Sequence, residues 1–137
     1  MEDEEEKKAI LIVDDDPLTV TFIKGILTPY GYDVFNVSNG KSCMLALKKY
    51  SFDLIIMDML MPIYDGNSAT IDIKHHPELK NIPVVAISAS DEQKVKDMAN
   101  FSGADHFFSK PFKKDEFVEK VSSLIYDSIE RAPDKSA

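Results

Sequence analysis

The chain of 137 residues has no long apolar run, a single cysteine and no excess of basic residues. No uninterrupted apolar stretch approaches the roughly 20 residues that a membrane-spanning helix needs. The opening MEDEEEKK is acidic, so we do not expect a secretory signal peptide there. The lone Cys43 excludes an internal disulfide and is typical of a reducing compartment. We therefore expect a cytoplasmic protein with no membrane partner.

Basic residues are outnumbered, since 16 Lys and Arg stand against 24 Asp and Glu and give a formal net charge of −8. Direct binding of nucleic acid by this domain is not expected, because such binding needs a basic surface. An acidic protein can instead attract cations or the basic surfaces of partners. The length and the 44% hydrophobic content suit one globular domain with a buried core.

Five short apolar runs alternate with longer helical patterns. The runs predict strands over residues 9–13, 32–37, 53–57, 83–87 and 106–108. The patterns predict a first helix from Pro17, after an Asp16 N-cap, and further helices over 41–50, 66–76, 91–101 and 113–130. This alternation predicts an α/β fold, a parallel sheet with helices on both faces. Residues 9–130 form the predicted domain, between an acidic tail (1–8) and a C-terminal tail or linker start (131–137).

In two of the predicted helices, apolar residues recur on one face. The predicted face of the first helix consists of Leu18, Phe22, Ile26 and Pro29. The predicted face of the last helix consists of Phe117, Val121, Leu124, Ile125 and Ile129.

Polar side chains follow four of the predicted strands. Three acids, 14–16, follow the first strand, Asp58 follows the third, Ser88 follows the fourth, and Ser109 and Lys110 follow the fifth. Open parallel sheets bind ligands at the carboxyl ends of their strands, so these side chains are expected to share one site. A single acid after a strand is often only a helix cap, and we interpret Asp16 in this way. Acids, a hydroxyl group and a lysine at the ends of four separate strands are harder to explain as helix caps.

Carboxylates gathered in this way predict a divalent cation. Mg²⁺ takes hard oxygen ligands, usually one or two carboxylates, and it lets neighbouring acids stay ionised. The adjacent Asp14 and Asp15 suit metal coordination, whereas Asp58 stands alone and is the better nucleophile towards phosphorus. Lys110 either neutralises the acids or holds an anionic ligand such as a phosphoryl group, and the Ser88 hydroxyl favours the second reading.

Four segments, ILIVDDDP, DLIIMDMLMPIYDG, VVAISA and GADHFFSKPF, together resemble the receiver domain of two-component response regulators. The resemblance covers about residues 8 to 130. It implies a flavodoxin-like (βα)5 fold, a doubly wound five-stranded parallel sheet in the order 2-1-3-4-5. Histidine at position 106 departs from the GADD of many DNA-binding members, whose charged dimer face uses that acid.

The resemblance also implies a role for each matching residue. Asp58 corresponds to the phosphoacceptor, and Mg²⁺ (or Mn²⁺) would be held by Asp15, Asp58 and the backbone carbonyl of Leu60, with Asp14 acting indirectly. The catalytic residues would be Asp58, Ser88 and Lys110. The switch residues would be Ser88 and Phe107. The bond between Lys110 and Pro111 matches a cis peptide of the family.

The implied function is a signalling switch rather than an enzyme that turns over an external substrate. A histidine kinase or a histidine phosphotransfer protein would donate a phosphoryl group to Asp58, with self-catalysed transfer and autodephosphorylation. The face formed by the fourth helix, fifth strand and fifth helix would then change and alter binding of a downstream protein, or formation of a phosphorylation-dependent homodimer.

Two other interpretations stay open. Asp14 and Asp16 imitate the DxD of haloacid-dehalogenase-like phosphatases, although that reading leaves Asp58 and the SKPF segment unexplained. The second interpretation is a receiver fold retained for protein binding alone. Such proteins usually lose one of the acids or the lysine, and all of them are present here.

Overall fold

The structure is a computed structural model and describes residues 7–61 and 64–131. Its strands are β1 (Ala9–Val13), β2 (Asp33–Val37), β3 (Leu54–Asp58), β4 (Val84–Ser88) and β5 (His106–Ser109). Its α-helices are α1 (Pro17–Leu27), α2 (Gly40–Lys49), α3 (Gly66–His75), α4 (Gln93–Ser102) and α5 (Lys114–Arg131). The predicted tails fall mostly on 1–6 and 132–137, which lie outside the described residues.

The five strands form one parallel sheet in the order β2-β1-β3-β4-β5. The predicted doubly wound (βα)5 fold, flavodoxin-like and of receiver type, is therefore confirmed. Alternate residues of each strand point to opposite faces, so β1 sends Leu11 and Val13 to one side and Ile10 and Ile12 to the other. Helices α2, α3 and α4 cover the first side, and α1 and α5 cover the second.

Side-chain caps explain where three helices begin. Asp16 accepts a hydrogen bond from the backbone N–H of Leu18 at 3.1 Å, and Pro17 occupies the first turn of α1, as predicted. Asn39 caps α2 in the same way, and Asp65 caps α3. Helix α4 begins at Gln93, two residues later than predicted. The backbone N–H of Glu92, just before the helix, donates a hydrogen bond to the Ser90 hydroxyl.

The predicted apolar face of α1 is right at Ile26, which is buried, and wrong at Leu18 and Phe22. Leu18 is 79% exposed and Phe22 is 50% exposed. The residues that face the sheet are Val20, Ile23, Ile26 and Leu27. They recur at intervals of three and four positions, which keeps them on one face of a helix with 3.6 residues per turn. Leu18, Phe22 and Ile26 recur at intervals of four, so their side chains rotate gradually around the helix, and of the three only Ile26 lies on that face. Pro29 lies in a short 3₁₀ turn, Thr28–Tyr30, beyond the helix.

On α5 the predicted face is right except at its end. Phe117, Val121 and Ile125 are buried and Leu124 is half-buried, whereas Ile129 is 51% exposed. Ile129 lies in the last turn of α5 and is not part of the core that α5 forms with the sheet. Among the described residues, no helix combines the length and apolar character needed to cross a membrane.

Candidate functional site

The carboxyl ends of β1 and β3 bring three carboxylates together. Strands β1 and β3 are neighbours, and Asp14 and Asp15 follow β1 while Asp58 ends β3. Each of the three residues offers an oxygen within 4.8 Å of the others. Asp14 and Asp58 are buried, whereas Asp15 is exposed to solvent. The structure thus assembles the acids that the sequence predicted to share one site, and hard oxygen donors at this spacing fit a divalent cation.

Asp58 lies in a position that penalises its charge. The pKa of Asp58 is raised to about 6, with burial as the largest cause and the nearby Asp14 and Asp15 carboxylates acting in the same direction. Two contacts act in the opposite direction, a hydrogen bond from the Leu60 N–H to Oδ1 at 3.1 Å and the positive charge of Lys110. A bound cation would relieve the repulsion among the acids.

Lys110 follows β5, the strand at one edge of the sheet, and its side chain extends towards the acids. Its Nζ lies 3.1 Å from Oδ2 of Asp14 and forms an ion pair with that buried carboxylate. Among the described residues, Lys110 forms an ion pair with Asp14 and none with Asp58. The backbone N–H of Lys110 donates to the Ser88 carbonyl at 2.7 Å, and the Lys110–Pro111 peptide is cis, as predicted.

Ser88 lies on β4, the neighbour of β3, and Phe107 lies on β5, the next strand along the sheet. Ser88 is the last residue of β4, fully buried, and its Oγ accepts a hydrogen bond from the Ser90 N–H at 3.1 Å. Phe107 is half-buried on β5 and packs against the core beneath α2, α3 and α4. The hydroxyl group therefore lies one strand from Asp58, and the aromatic ring lies beyond it on the neighbouring strand.

The loop after β3 approaches the strand closely. A Cβ atom at Gly66 would overlap the carbonyl oxygen of Asp58, so glycine is required for α3 to begin here. Leu60, whose carbonyl was predicted to bind the metal, is exposed in this loop. Residues 62 and 63, within the predicted MPIYDG segment, lie outside the described residues.

Thr19 is a residue of the site that the sequence analysis missed. Its hydroxyl donates to Oδ2 of Asp16 at 2.9 Å and accepts from Nζ of Lys110 at 3.3 Å. The Thr19 hydroxyl and the Leu18 N–H lower the pKa of Asp16. A threonine three positions after an aspartate N-cap is a signal for the first of these bonds, but nothing in the sequence indicates the second.

Exposed apolar side chains lie beside the acids. Leu18 and Phe22 lie in the first and second turns of α1, after the Asp16 cap. The Phe22 ring lies 5.8 Å from the ring of Phe112, which follows Lys110 in the loop before α5. We call Leu18, Phe22 and Phe112 the α1 patch.

Comparison with known proteins gives one consistent result. The sequence profile of the response regulator receiver domain family matches residues 10–122. The polar-differentiation response regulator DivK of Brucella anthropi is 28% identical over 125 residues, which cover 88% of this chain and 98% of DivK.

Solved structures agree with this match. The receiver domain of a signal transduction histidine kinase from Syntrophus aciditrophicus is 32% identical, with a TM-score of 0.85 over 92% of this chain and 95% of that one. The receiver domain of the sensor histidine kinase PA1611 from Pseudomonas aeruginosa PAO1 is 29% identical, with a TM-score of 0.82. The match covers 88% of this chain and 99% of that one. That structure has a magnesium ion coordinated in its active-site cleft. The present chain belongs to the response regulator receiver domain family of two-component signalling.

Proposed function

We propose that this receiver domain accepts a phosphoryl group on Asp58 from a phosphohistidine of a histidine kinase or a phosphotransfer protein. The observation that carries the proposal is the grouping of Asp14, Asp15 and Asp58 at one sheet edge, with Lys110 paired to the first of them. An Asp58 oxygen attacks phosphorus, the new P–O bond forms, and the P–N bond breaks with its electron pair going to the imidazole. Asp58 must be ionised to act as this nucleophile.

Asp15, Asp58 and the Leu60 carbonyl would hold Mg²⁺, or Mn²⁺, with Asp14 acting indirectly. Such a cation supplies positive charge that neutralises the acids and the phosphoryl oxygens. Lys110 contributes a second positive charge to the transferring group. The later loss of the phosphoryl group is hydrolysis, in which water attacks phosphorus, the bond from phosphorus to the Asp58 oxygen breaks, and inorganic phosphate is released. Both reactions are self-catalysed by these residues.

Switching would follow from Ser88 and Phe107. The Ser88 hydroxyl, which contacts the Ser90 N–H in this structure, turns towards the new phosphoryl oxygens. Phe107 then moves into the vacated space, and the face formed by α4, β5 and α5 changes shape. New hydrogen bonds thus shift the protein between two packings. The altered face binds a downstream protein or a second copy of the chain.

The α1 patch is the proposed contact for the phosphoryl donor. Leu18 and Phe22 are exposed although α1 has another face for the core, and Phe112 is half-buried beside Phe22. Exposed apolar patches are typical of interaction sites. The patch begins within one turn of the Asp16 cap, so a protein docked there can present a phosphohistidine to Asp58. A cytoplasmic location, where such donors would act, is part of the proposal, and cell fractionation can check it.

The test of the proposed function is intact-mass measurement after incubation with acetyl phosphate and Mg²⁺. We expect the mass of one added phosphoryl group in the native protein, and none in Asp58→Asn or in excess EDTA. Asp72→Asn, an exposed acid on α3, is the matched control and should be phosphorylated normally. Equal addition to Asp58→Asn, or no addition to the native protein, would refute the assignment.

A further inference from the structure

Four residues form a closed hydrogen-bonded ring between the start of α1 and the lysine of the site. Asp14 accepts from the Asp16 N–H through Oδ1 at 2.8 Å and from Lys110 through Oδ2 at 3.1 Å. Thr19 closes the ring, since its hydroxyl donates to Asp16 and accepts from Lys110. We call these four residues the α1–lysine ring. The proposed function above uses two of them, Asp14 and Lys110, and leaves Thr19 and Asp16 without a role.

The ring holds the ammonium group on one side of the site. Lys110 follows β5, and two strands, β4 and β3, separate β5 from β1 in the sheet. Its side chain therefore crosses the end of β3, where Asp58 lies, to reach Asp14 and Thr19 on the β1 and α1 side. An ammonium group has three N–H donors, and two of them are directed to that side.

The Thr19 hydroxyl is fixed rather than free to rotate. Its hydrogen is directed to Oδ2 of Asp16, so an oxygen lone pair is left to accept from Lys110. Asp16 is itself held by the Leu18 N–H that it caps. Threonine also has few side-chain rotamers in a helix. The acceptor offered to the lysine is therefore ordered by the helix start.

We propose that Thr19 is a positioning residue that holds the Lys110 ammonium group on the β1 side of the unphosphorylated protein, so that the lysine must leave the Thr19 hydroxyl before it contacts a phosphoryl group on Asp58. The inference rests on the proposed function. The bond stabilises only the resting arrangement, and a contact present in one of two states shifts their equilibrium by its own strength. Removing the hydroxyl therefore favours the phosphoryl-bound arrangement.

The experiment compares the native protein with Thr19→Val, which replaces the hydroxyl by a methyl group of similar size, and with Thr19→Ser, which keeps the hydroxyl. We measure the rate constant for phosphorylation by acetyl phosphate with Mg²⁺ and the affinity for beryllofluoride. Thr19→Val should raise both about three- to ten-fold, as expected for the loss of one hydrogen bond of ordinary strength, because the contact is long at 3.3 Å. Thr19→Ser should stay within about two-fold of the native protein. Thr19→Ala repeats the test with a strong helix former should the valine variant fold poorly.

A second measurement needs no phosphoryl donor. Hydrogen exchange of the Lys110 ammonium group, followed by NMR, should be faster in Thr19→Val than in the native protein and in Thr19→Ser. Unchanged exchange, or a phosphorylation rate in Thr19→Val that is equal to or below the native rate, would overturn the inference. A native protein that gains no phosphoryl mass would overturn the proposed function instead, and the exchange measurement would still decide the role of Thr19.

Discussion

Replacing Asp58 with asparagine is predicted to stabilise the metal-free protein at neutral pH. An unfolded aspartate has a pKa of about 3.9, whereas the folded protein raises the pKa of Asp58 to about 6, mainly through burial. Between these two values the folded state binds more protons than the unfolded state. The free energy of unfolding therefore falls as the pH rises through this window, and the loss is complete above about pH 6.

The magnitude follows from the same two values. At about 1.4 kcal/mol for each tenfold change in proton affinity, the ionised Asp58 costs the native state about 3 kcal/mol at neutral pH. Asparagine keeps the acceptor for the Leu60 N–H and removes the charge. The stability advantage of Asp58→Asn over the native protein should consequently grow by about 2 kcal/mol between about pH 4.5 and 7.5.

Urea denaturation in EDTA across this pH range measures the difference. Asp72→Asn is the control, because it changes the net charge by the same amount at an exposed position. Adding Mg²⁺ should remove most of the difference at neutral pH, since a ligand that binds only the native state at about 100 times its Kd adds about 2.7 kcal/mol. A difference between Asp58→Asn and the native protein that does not depend on pH, or one matched by Asp72→Asn, would refute the reasoning.

Three further substitutions test other parts of the structure. Gly66→Ala should lower the free energy of unfolding by about 3 kcal/mol or more, because the added Cβ overlaps the Asp58 carbonyl, and urea denaturation measures it. Gly25→Ala, in α1 with nothing within 4 Å of the added Cβ, should raise it by about 0.5–1 kcal/mol in the same assay. Phe22→Ala should slow phosphotransfer from a phosphohistidine protein about ten-fold and leave the acetyl phosphate rate unchanged, whereas Phe101→Ala on α4 should alter neither. Equal effects of the two phenylalanine changes would contradict the donor contact.

The parallel sheet and the location of the site were predictable because both follow from local patterns and one general rule, whereas the order of the strands was implied by the family resemblance. Short Ile- and Val-rich runs that alternate with helical patterns specify a parallel sheet. In such a sheet the residues after each strand meet at one edge, so Asp14, Asp15 and Asp58 had to be near one another. The start of α1 was equally local, since Asp16 and Pro17 are a cap and a first-turn residue.

The apolar face of α1 could not be predicted because hydrophobicity does not say what covers a side chain. Leu18 and Phe22 recur four positions apart, as core residues do, yet both are exposed. Val20 and Ile23 fill the space against the sheet instead. An apolar side chain that is left outside when the core is complete is consistent with binding to a partner, and the donor contact proposed for the α1 patch accounts for this failure.

Which carboxylate pairs with Lys110 could not be predicted either, because it depends on distances across four strands. The sequence predicted that the Lys110 ammonium group lies near Asp14 and Asp58, but it did not indicate which of the two carboxylates forms the ion pair. The structure pairs it with Asp14, and the hydroxyl of Thr19, 91 positions away in the chain, lies beside the same ammonium group. A residue that no motif marks can thus bias the resting position of the lysine. Family motifs fix which groups take part in the chemistry, whereas neighbours such as Thr19 can set how readily those groups reach it.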